Sequence, residues 1–487
     1  MLPRIIVAWI IASSLCFAIP LGFSSTDSLI QSDVYYGEYL KLQLDKIVQK
    51  QIGSAHIGVE VVSLATRSPI YQKNSNKLFI PASCLKIFTG SSCLALLGTD
   101  YRFTTSVWTD GAIKNKKLIG NIYLKGGGDP SLDEKGLQAL ALQMKELGIE
   151  KIVGSLFVDT SDFDSIQKGP GWMWDDGPEY WNCPVSPLTV NHGCIELLVK
   201  PASNINQSPI LVLQPNTSFV RCHNFAQTCD GIDGQIAIER RSDQIKNSVY
   251  VTGLISLTSQ PILYRVSLED PHLYAGALFL DTLQGCGISC PKGVEEKKTP
   301  EKAKLLVEHQ SAPIEMLVHK MMKESDNLYA ECLFKKIGQV CSGKQGTWSL
   351  AANAVKELIS KKGVNTSQMA LLDGSGMSRY NLISPRQLVD FLLVTRDDPV
   401  LFTPFFHSLP IAGIDGTLKF IMDDPELLGK VKAKTGSMTG VRCLSGYITT
   451  VSGQELVVSI MMNGVIDKAV ALKLEKEICK ILVRYKE

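Results

Sequence analysis

The chain has 487 residues, too many for one hydrophobic core, so two or three domains are expected. Hydrophobic residues make up 45% and charged residues 20%, the balance of a folded globular protein. A formal net charge of +2 argues against nucleic acid or an anionic membrane as the main partner.

The N-terminal "MLPRIIVAWIIASSLCFAIPLGFSS" has one Arg, an apolar run broken by Pro20, then small residues. It reads as a secretory signal peptide over 1–24, with a permanent anchor as the alternative because the run falls just short of a comfortable span. The "SSL" before Cys16 is a poor match to a lipid-attachment site. No later segment is apolar for long enough to cross a bilayer. An exported chain is expected, periplasmic or in the cell envelope, either soluble or loosely held at a membrane. Of 13 Cys, 12 remain if Cys16 leaves with the signal, and export permits disulfides. Cys222 with Cys229, Cys183 with Cys194, and Cys286 with Cys290 are near enough for local loops, with connectivity left open. Cys84, Cys93 and Cys479 sit in apolar helical patterns and read as core thiols. No Cys or His spacing suggests a metal, and no cofactor is expected.

Residues 28–98 show a helix-like start, the strand-like "HIGVEVVSL", and a helix that opens at "IPASCLKIFTG" and stops at Gly98. Over 99–290, short β-type runs such as "GNIYLKG", "KIVGSLFVD", "CIELLVK" and "SVYVTGLISL" alternate with Gly, Pro, Asn and Asp turns. This is a mainly β insert, of one piece or two nested ones. Past 291 helical patterns return, including "ISPRQLVDFLLVT" with Ser384 as N-cap and Pro385 as first helical residue. The last stretch, 291–487, ends in three strands, "VKAKTGSM", "CLSGYITTV" and "ELVVSIMMNG". An amphipathic closing helix from about 467 is expected to pack on them rather than on a membrane.

Three short boxes carry chemistry. Ser83 stands three residues before Lys86, which on a helical turn places a hydroxyl beside an amine. S-x-x-K alone is weak, since about two matches arise by chance in a chain of this length. Ser165–Lys168 and Ser289–Lys292 match too, but Gly-Pro-Gly follows the first and Pro291 interrupts the second, so neither suits a helical turn. Taken singly, Ser83 could be an N-cap beside a solvated Lys. Ser325-Asp326-Asn327 in "KESDNLYAE" and Lys434-Thr435-Gly436 in "VKAKTGSMTG" follow in order. That order is the signature of penicillin-binding proteins and class A β-lactamases.

Seven phrases narrow the family: "PASCLKIFTG", "LKGGGDPSL", "GPGWMWDDGPEYW", "SDNLYAE", "LDGSGMSRYNLISPRQL", "LPIAGIDGTL" and "AKTGSMTGVRCLSGY". From about residue 40 to the C-terminus the chain resembles the D-alanyl-D-alanine carboxypeptidase/endopeptidase family of low-molecular-mass class C penicillin-binding proteins (peptidase family S13, like penicillin-binding protein 4). The 242 residues from Ser83 to Ser325 (325 minus 83) fit that family's long insert and exceed the β-lactamase spacing. Cys84, Cys443 and the end of "SPLTVNHG" depart from the family pattern.

The resemblance implies an α/β fold, a penicillin-binding/serine β-lactamase-like transpeptidase domain with an antiparallel sheet flanked by helices, formed by 28–98 and 291–487. It also implies peptidoglycan stem peptides as substrate and β-lactam antibiotics as covalent inhibitors. A serine hydroxyl needs a base, and no His falls in a box suited to a His-based triad, although "GSG" at 374–376 superficially resembles one. Lys86 is the nearest base by spacing, and must be made neutral by burial and a second cation, for which Lys434 is the candidate. The oxyanion would be met by the backbone N–H groups of Ser83 and of Ser437, the residue after Gly436. Ser325 would relay the proton to the leaving amine, and Asn327 would hold the substrate amide and Lys86. Lys434 and Thr435 suit the terminal carboxylate. The resemblance places Asp176 on the stem peptide, against a turn-capping alternative. Arg379 is a candidate for a second stem carboxylate, or for a structural salt bridge. "GGGDP" around Asp129 reads as a tight turn. A serine β-lactamase and a penicillin sensor without turnover stand as rival functions.

Overall fold

The computed structural model describes residues 38–49, 53, 55–231, 234–241, 246–291 and 293–486. The expected signal peptide at 1–24, with Cys16, lies outside the described residues. So does Lys292.

The central sheet joins the two ends of the chain. Strands β1 (His56–Ser63) and β2 (Pro69–Lys73) combine with β3 (Val431–Met438), β4 (Val441–Thr449) and β5 (Glu455–Asn463) in the order β3-β4-β5-β1-β2. Every pair is antiparallel, with Val59 opposite Ile460 and Lys434 opposite Ser445. Nearly every residue of β1 and β5 is buried. Such continuous apolar strands need cover on both faces. Helix α1 (Lys86–Leu97) follows the first hairpin, and α2 (Ile314–Glu324), α3 (Asn327–Ser342) and α4 (Trp348–Lys361) build the helical layer beside it. On one face Val457 and Met461 share a core with Leu388 and Leu392 of α5 (Pro385–Arg396). On the other, Val458, Ile460 and Met462 pack with Leu474 and Ile478 of α6 (Lys468–Val483).

Local chemistry sets the helix ends. The Ser384 side chain accepts from Gln387 N–H while the Gln387 side chain accepts from Ser384 N–H, a capping box with Pro385 as first helical residue. Gly98 ends α1 at φ 88°, where a side chain would be strained. Helix α6 is tied to β4 by a buried, two-pronged ion pair, Arg442 to Glu475 at 2.6 and 2.9 Å. Burial pushes the Glu475 carboxyl up, and the guanidinium opposes it. Glu475→Ala would strand Arg442, so a loss of about 3 kcal/mol is expected from the urea midpoint. A loss below about 1 kcal/mol would mean that the pair only breaks even.

The region between α1 and α2 has its own sheets and a second core. Its five-stranded sheet runs Val294–Glu296, Leu156–Asp159, Ile122–Lys125, Thr104–Thr109, Lys304–Gln310. Two helices, Glu134–Glu146 and Pro271–Gly285, accompany the strands. Both depart from the mainly β reading of 99–290, which expected neither. Glu134–Glu146 is the crossover that the parallel pair Ile122–Lys125 and Leu156–Asp159 requires. The expected return to helix past 291 also needs correction. Strands at 294–296 and 304–310 complete the insert's sheet, and helices resume at Ile314. The twelve described cysteines are all free thiols, so none of the local pairs is bonded.

Candidate active site

Ser83 lies in a 3₁₀ turn, Ala82–Leu85, that runs directly into α1, so Lys86 is the first α-helical residue. At three residues per turn the side chains at i and i+3 line up. Lys86 Nζ is 3.0 Å from Ser83 Oγ. Ala82, just before the serine, holds a left-handed φ of 45°, a conformation that costs a non-glycine residue about 1–2 kcal/mol. Two glycines pack against this turn. A Cβ on Gly376 would come 1.9 Å from the Ala82 carbonyl oxygen, and one on Gly436 would come 2.5 Å from that of Pro81. The glycine of K-T-G thus lets strand β3 lie directly against the serine turn.

S-D-N is the tight link between α2 and α3. Ser325 ends α2 in the left-handed region at φ 59°, and Asp326 caps α3 by accepting from Tyr329 N–H at 3.0 Å. The next residue, Asn327, accepts from Lys86 Nζ at 2.7 Å through Oδ1 and donates through Nδ2 to the Trp181 carbonyl at 3.0 Å. On β3, Lys434 Nζ donates to Ser325 Oγ at 2.8 Å and to the Thr435 carbonyl at 2.9 Å. Thr435 Oγ1 is 2.8 Å from Thr417 Oγ1. The three boxes therefore meet: the first touches the second through Lys86, and the second touches the third through Ser325. Neither rival S-x-x-K has a helical turn, as Ser165 and Ser289 lie outside helices.

Both amines are fully buried. Burial lowers Lys86 to about 8, against the upward pull of Glu331, Asp326 and Asp373. Lys434 is pushed well below its usual range, by burial first and then by the charge of Lys86. Burial, and not the charge of Lys434, is the leading cause of the lowering at Lys86. The third contact of Lys86 is the Ser375 carbonyl, at 2.8 Å. Ser375, the serine of "GSG", is buried and supplies that carbonyl. Glu331 holds it there, accepting from the N–H groups of Ser375 and Gly374 at 2.7 and 3.0 Å and from Trp348 Nε1 at 2.7 Å. Burial, then the Asp373 charge, raises the Glu331 carboxyl to about 7.

Ser437 is exposed and stands opposite Arg442 in the ladder. Arg379 and Asp176 lie outside this cluster of hydrogen bonds. Arg379 donates through Nη1 to the Thr439 carbonyl at 3.1 Å, and its N–H meets the Gly171 carbonyl at 3.4 Å. Among the described residues it forms no ion pair. Asp176 sits in a turn, its N–H 3.4 Å from the Met173 carbonyl. Burial raises its carboxyl, with Asp175 adding and Arg379 and Lys168 opposing. The two residues thus feel each other across the phrases "GWMWDDG" and "GMSRYN". Asp129 forms a tight turn by accepting from Ser131 N–H and Oγ at 2.8 and 2.6 Å.

Sequence reasoning missed Glu331, Ser375, Thr417, Trp181 and His192. Ser375 and Trp181 act through carbonyls, which any residue carries. Glu331 had a signal, a carboxylate four residues after Asn327 on the same helix, therefore one turn inside the site. His192 Nε2 lies 2.8 and 3.0 Å from the two Asp326 oxygens and comes from "SPLTVNHG", the phrase that departs from the family pattern.

The D-Ala-D-Ala carboxypeptidase 3 (S13) family matches residues 40–485. The chain is 33% identical over 441 residues to a D-alanyl-D-alanine carboxypeptidase of Actinomadura sp. (strain R39), covering 87% of this chain and 81% of that protein. It is 27% identical to the D-alanyl-D-alanine carboxypeptidase DacB of Haemophilus influenzae, over 88% of this chain and 89% of the relative. The crystal structure of penicillin-binding protein 4 (dacB) from Haemophilus influenzae superposes with a TM-score of 0.82 at 28% identity, over 91% of this chain and 99% of that one. The same protein complexed with a β-lactam superposes at 0.77, at 26% identity over the same shares. With the three boxes assembled around buried amines and a match that spans nearly the whole described chain, this protein belongs to the D-Ala-D-Ala carboxypeptidase 3 (S13) family.

Proposed function

We propose that the protein is a serine D-Ala-D-Ala carboxypeptidase acting on peptidoglycan stem peptides through an acyl-enzyme on Ser83. The observation that carries this reading is Lys86, fully buried, 3.0 Å from Ser83 Oγ and lowered to about 8. Neutral Lys86 takes the Ser83 proton as Oγ attacks the carbonyl between two D-alanines. The backbone N–H groups of Ser83 and Ser437 meet the oxyanion. The proton passes through Ser325, which Lys434 orients, to the leaving amine. Lys434, Thr435 and the close-packed Gly436 bind the terminal carboxylate, while Asn327 holds the substrate amide. Asp176 and Arg379 contact the stem peptide at the rim. Water then frees the acyl group, and on a cross-linked substrate the same steps amount to endopeptidase cleavage. β-Lactams acylate Ser83 covalently. In this reading 28–98 and the chain from Ile314 on form the catalytic domain, the inserted region between them runs through the strand Lys304–Gln310, and the chain works outside the cytoplasmic membrane. No helix among the described residues is long and apolar enough to cross a membrane.

The neutral amine is the base, so acylation accelerates as pH rises, by about tenfold per unit below pH 8, and levels off above it. Stopped-flow acylation by a fluorescent penicillin between pH 6 and 10 measures this, and a flat profile contradicts it. Incubation with a pentapeptide stem tests the function itself. Released D-alanine with a persisting penicillin adduct is the expected outcome. Rapid loss of the adduct identifies a β-lactamase, and a stable adduct without product identifies a sensor.

A further inference from the structure

A cavity of about 780 Å³ lies between the insert and the start of α3, and Ser325, Asp326 and Asn327 form one edge of it. Among the described residues, neither Asp176 nor Arg379 lines it, so it is distinct from the rim that those two charges share. Glu134, Tyr180, His192 and Arg265 also line the cavity. His192 reaches both oxygens of Asp326, with its ring between Tyr180 and Tyr329 at centroid distances of 6.1 and 6.5 Å. Asn191, His192 and Gly193 hold left-handed φ values of 52°, 60° and 63° in succession. Strain of this kind collects at functional sites, and here it aims the imidazole at the residue after Ser325.

The lining charges do not cancel. Arg265 pairs with Glu196 at 3.1 Å and Lys320 with Glu324 at 2.8 Å. Asp133 and Glu134 form no ion pair among the described residues; they accept only from Gly136 N–H and Asn191 Nδ2, each at 2.9 Å. One wall is therefore anionic and attracts an amine. The size points the same way. Cavities of about 300–1,000 Å³ hold drug-sized ligands, far larger than one free amino acid.

We propose that this cavity binds the leaving side of a cross-linked substrate: a second stem peptide joined through its side-chain amine to the scissile D-alanine. The inference rests on the carboxypeptidase reading, because it takes Ser325 as the group that protonates the leaving amine. Ser83 Oγ bonds to the D-alanyl carbonyl carbon and the C–N bond to the second peptide breaks. The amine departs with the proton from Ser325, the proton that Lys86 took from Ser83 restores the Ser325 hydroxyl, and water later cleaves the Ser83 ester. The amine is released at the S-D-N edge and faces the wall that carries Glu134 as it becomes an ammonium. A monomeric pentapeptide, which releases only D-alanine, does not need this space.

The test compares a purified cross-linked muropeptide dimer with a monomeric pentapeptide. Glu134→Trp and Arg265→Trp fill the cavity from two exposed positions. The wild type is expected to cleave both substrates. Each variant should lose at least about tenfold in kcat/KM on the dimer. D-alanine release and penicillin acylation should stay within about twofold, which also reports correct folding. Equal losses on both substrates, or unchanged dimer cleavage in both variants, overturn the proposal. So does a wild type that releases D-alanine but leaves the dimer intact. A wild type that neither releases D-alanine nor forms an adduct at Ser83 overturns the carboxypeptidase reading together with it.

Discussion

Lys86→Met should slow acylation by benzylpenicillin by about 10²–10⁴-fold while leaving the fold intact. The amine is 0% exposed and sits between Ser83, Asn327 and the Ser375 carbonyl. Methionine has similar length, fills the same space and has no charge to desolvate. The loss is therefore one of proton transfer, and the remaining rate should no longer climb between pH 6 and 9. Unaltered acylation by the variant would remove Lys86 from the mechanism and leave Lys434, the other buried amine of the three boxes, as the next candidate base.

Gly376→Ala should be nearly as damaging, although residue 376 carries no reacting group. Its φ of 87° is left-handed, and the added methyl would come 1.9 Å from the Ala82 carbonyl oxygen. That oxygen belongs to backbone already strained at Ala82, so relief can only come from moving the turn that presents Ser83. A displacement of about 1 Å can cost about 10²-fold in rate. A stability loss of about 2–3 kcal/mol is expected as well, measurable by urea unfolding. Wild-type acylation and stability in this variant would show that the turn adapts freely and that its conformation is not what poises the serine.

The parts of the site visible in the sequence were those with side-chain chemistry and fixed spacing. Ser83 and Lys86 are three residues apart on one turn, and Ser325 and Asn327 straddle a helix cap, so local geometry alone places each pair. Ser384 and Pro385, and Gly98, likewise marked helix ends through capping and left-handed backbone. The contacts between boxes are of another kind. Lys434 reaches Ser325 across 109 residues, and only the five-stranded sheet, with β1 and β2 beside β3 to β5, brings them together. The Ser375 and Trp181 carbonyls carry no side-chain signature. The Glu134–Glu146 helix was overlooked because short β-type runs on both sides dominated the reading, while the need for a crossover appears only once the flanking strands are known to be parallel. Asp176 and Arg379 show a middle case: the resemblance singled them out, and the structure sets their charges within reach of each other but joins neither by hydrogen bond to the Ser83 cluster.

The most direct measurement is intact-mass spectrometry of the protein after exposure to benzylpenicillin, followed by peptide mapping. The account predicts one adduct of the whole antibiotic, on the peptide that carries Ser83, and none on Ser83→Ala. An unmodified protein, or an adduct on another residue that survives in Ser83→Ala, would contradict it.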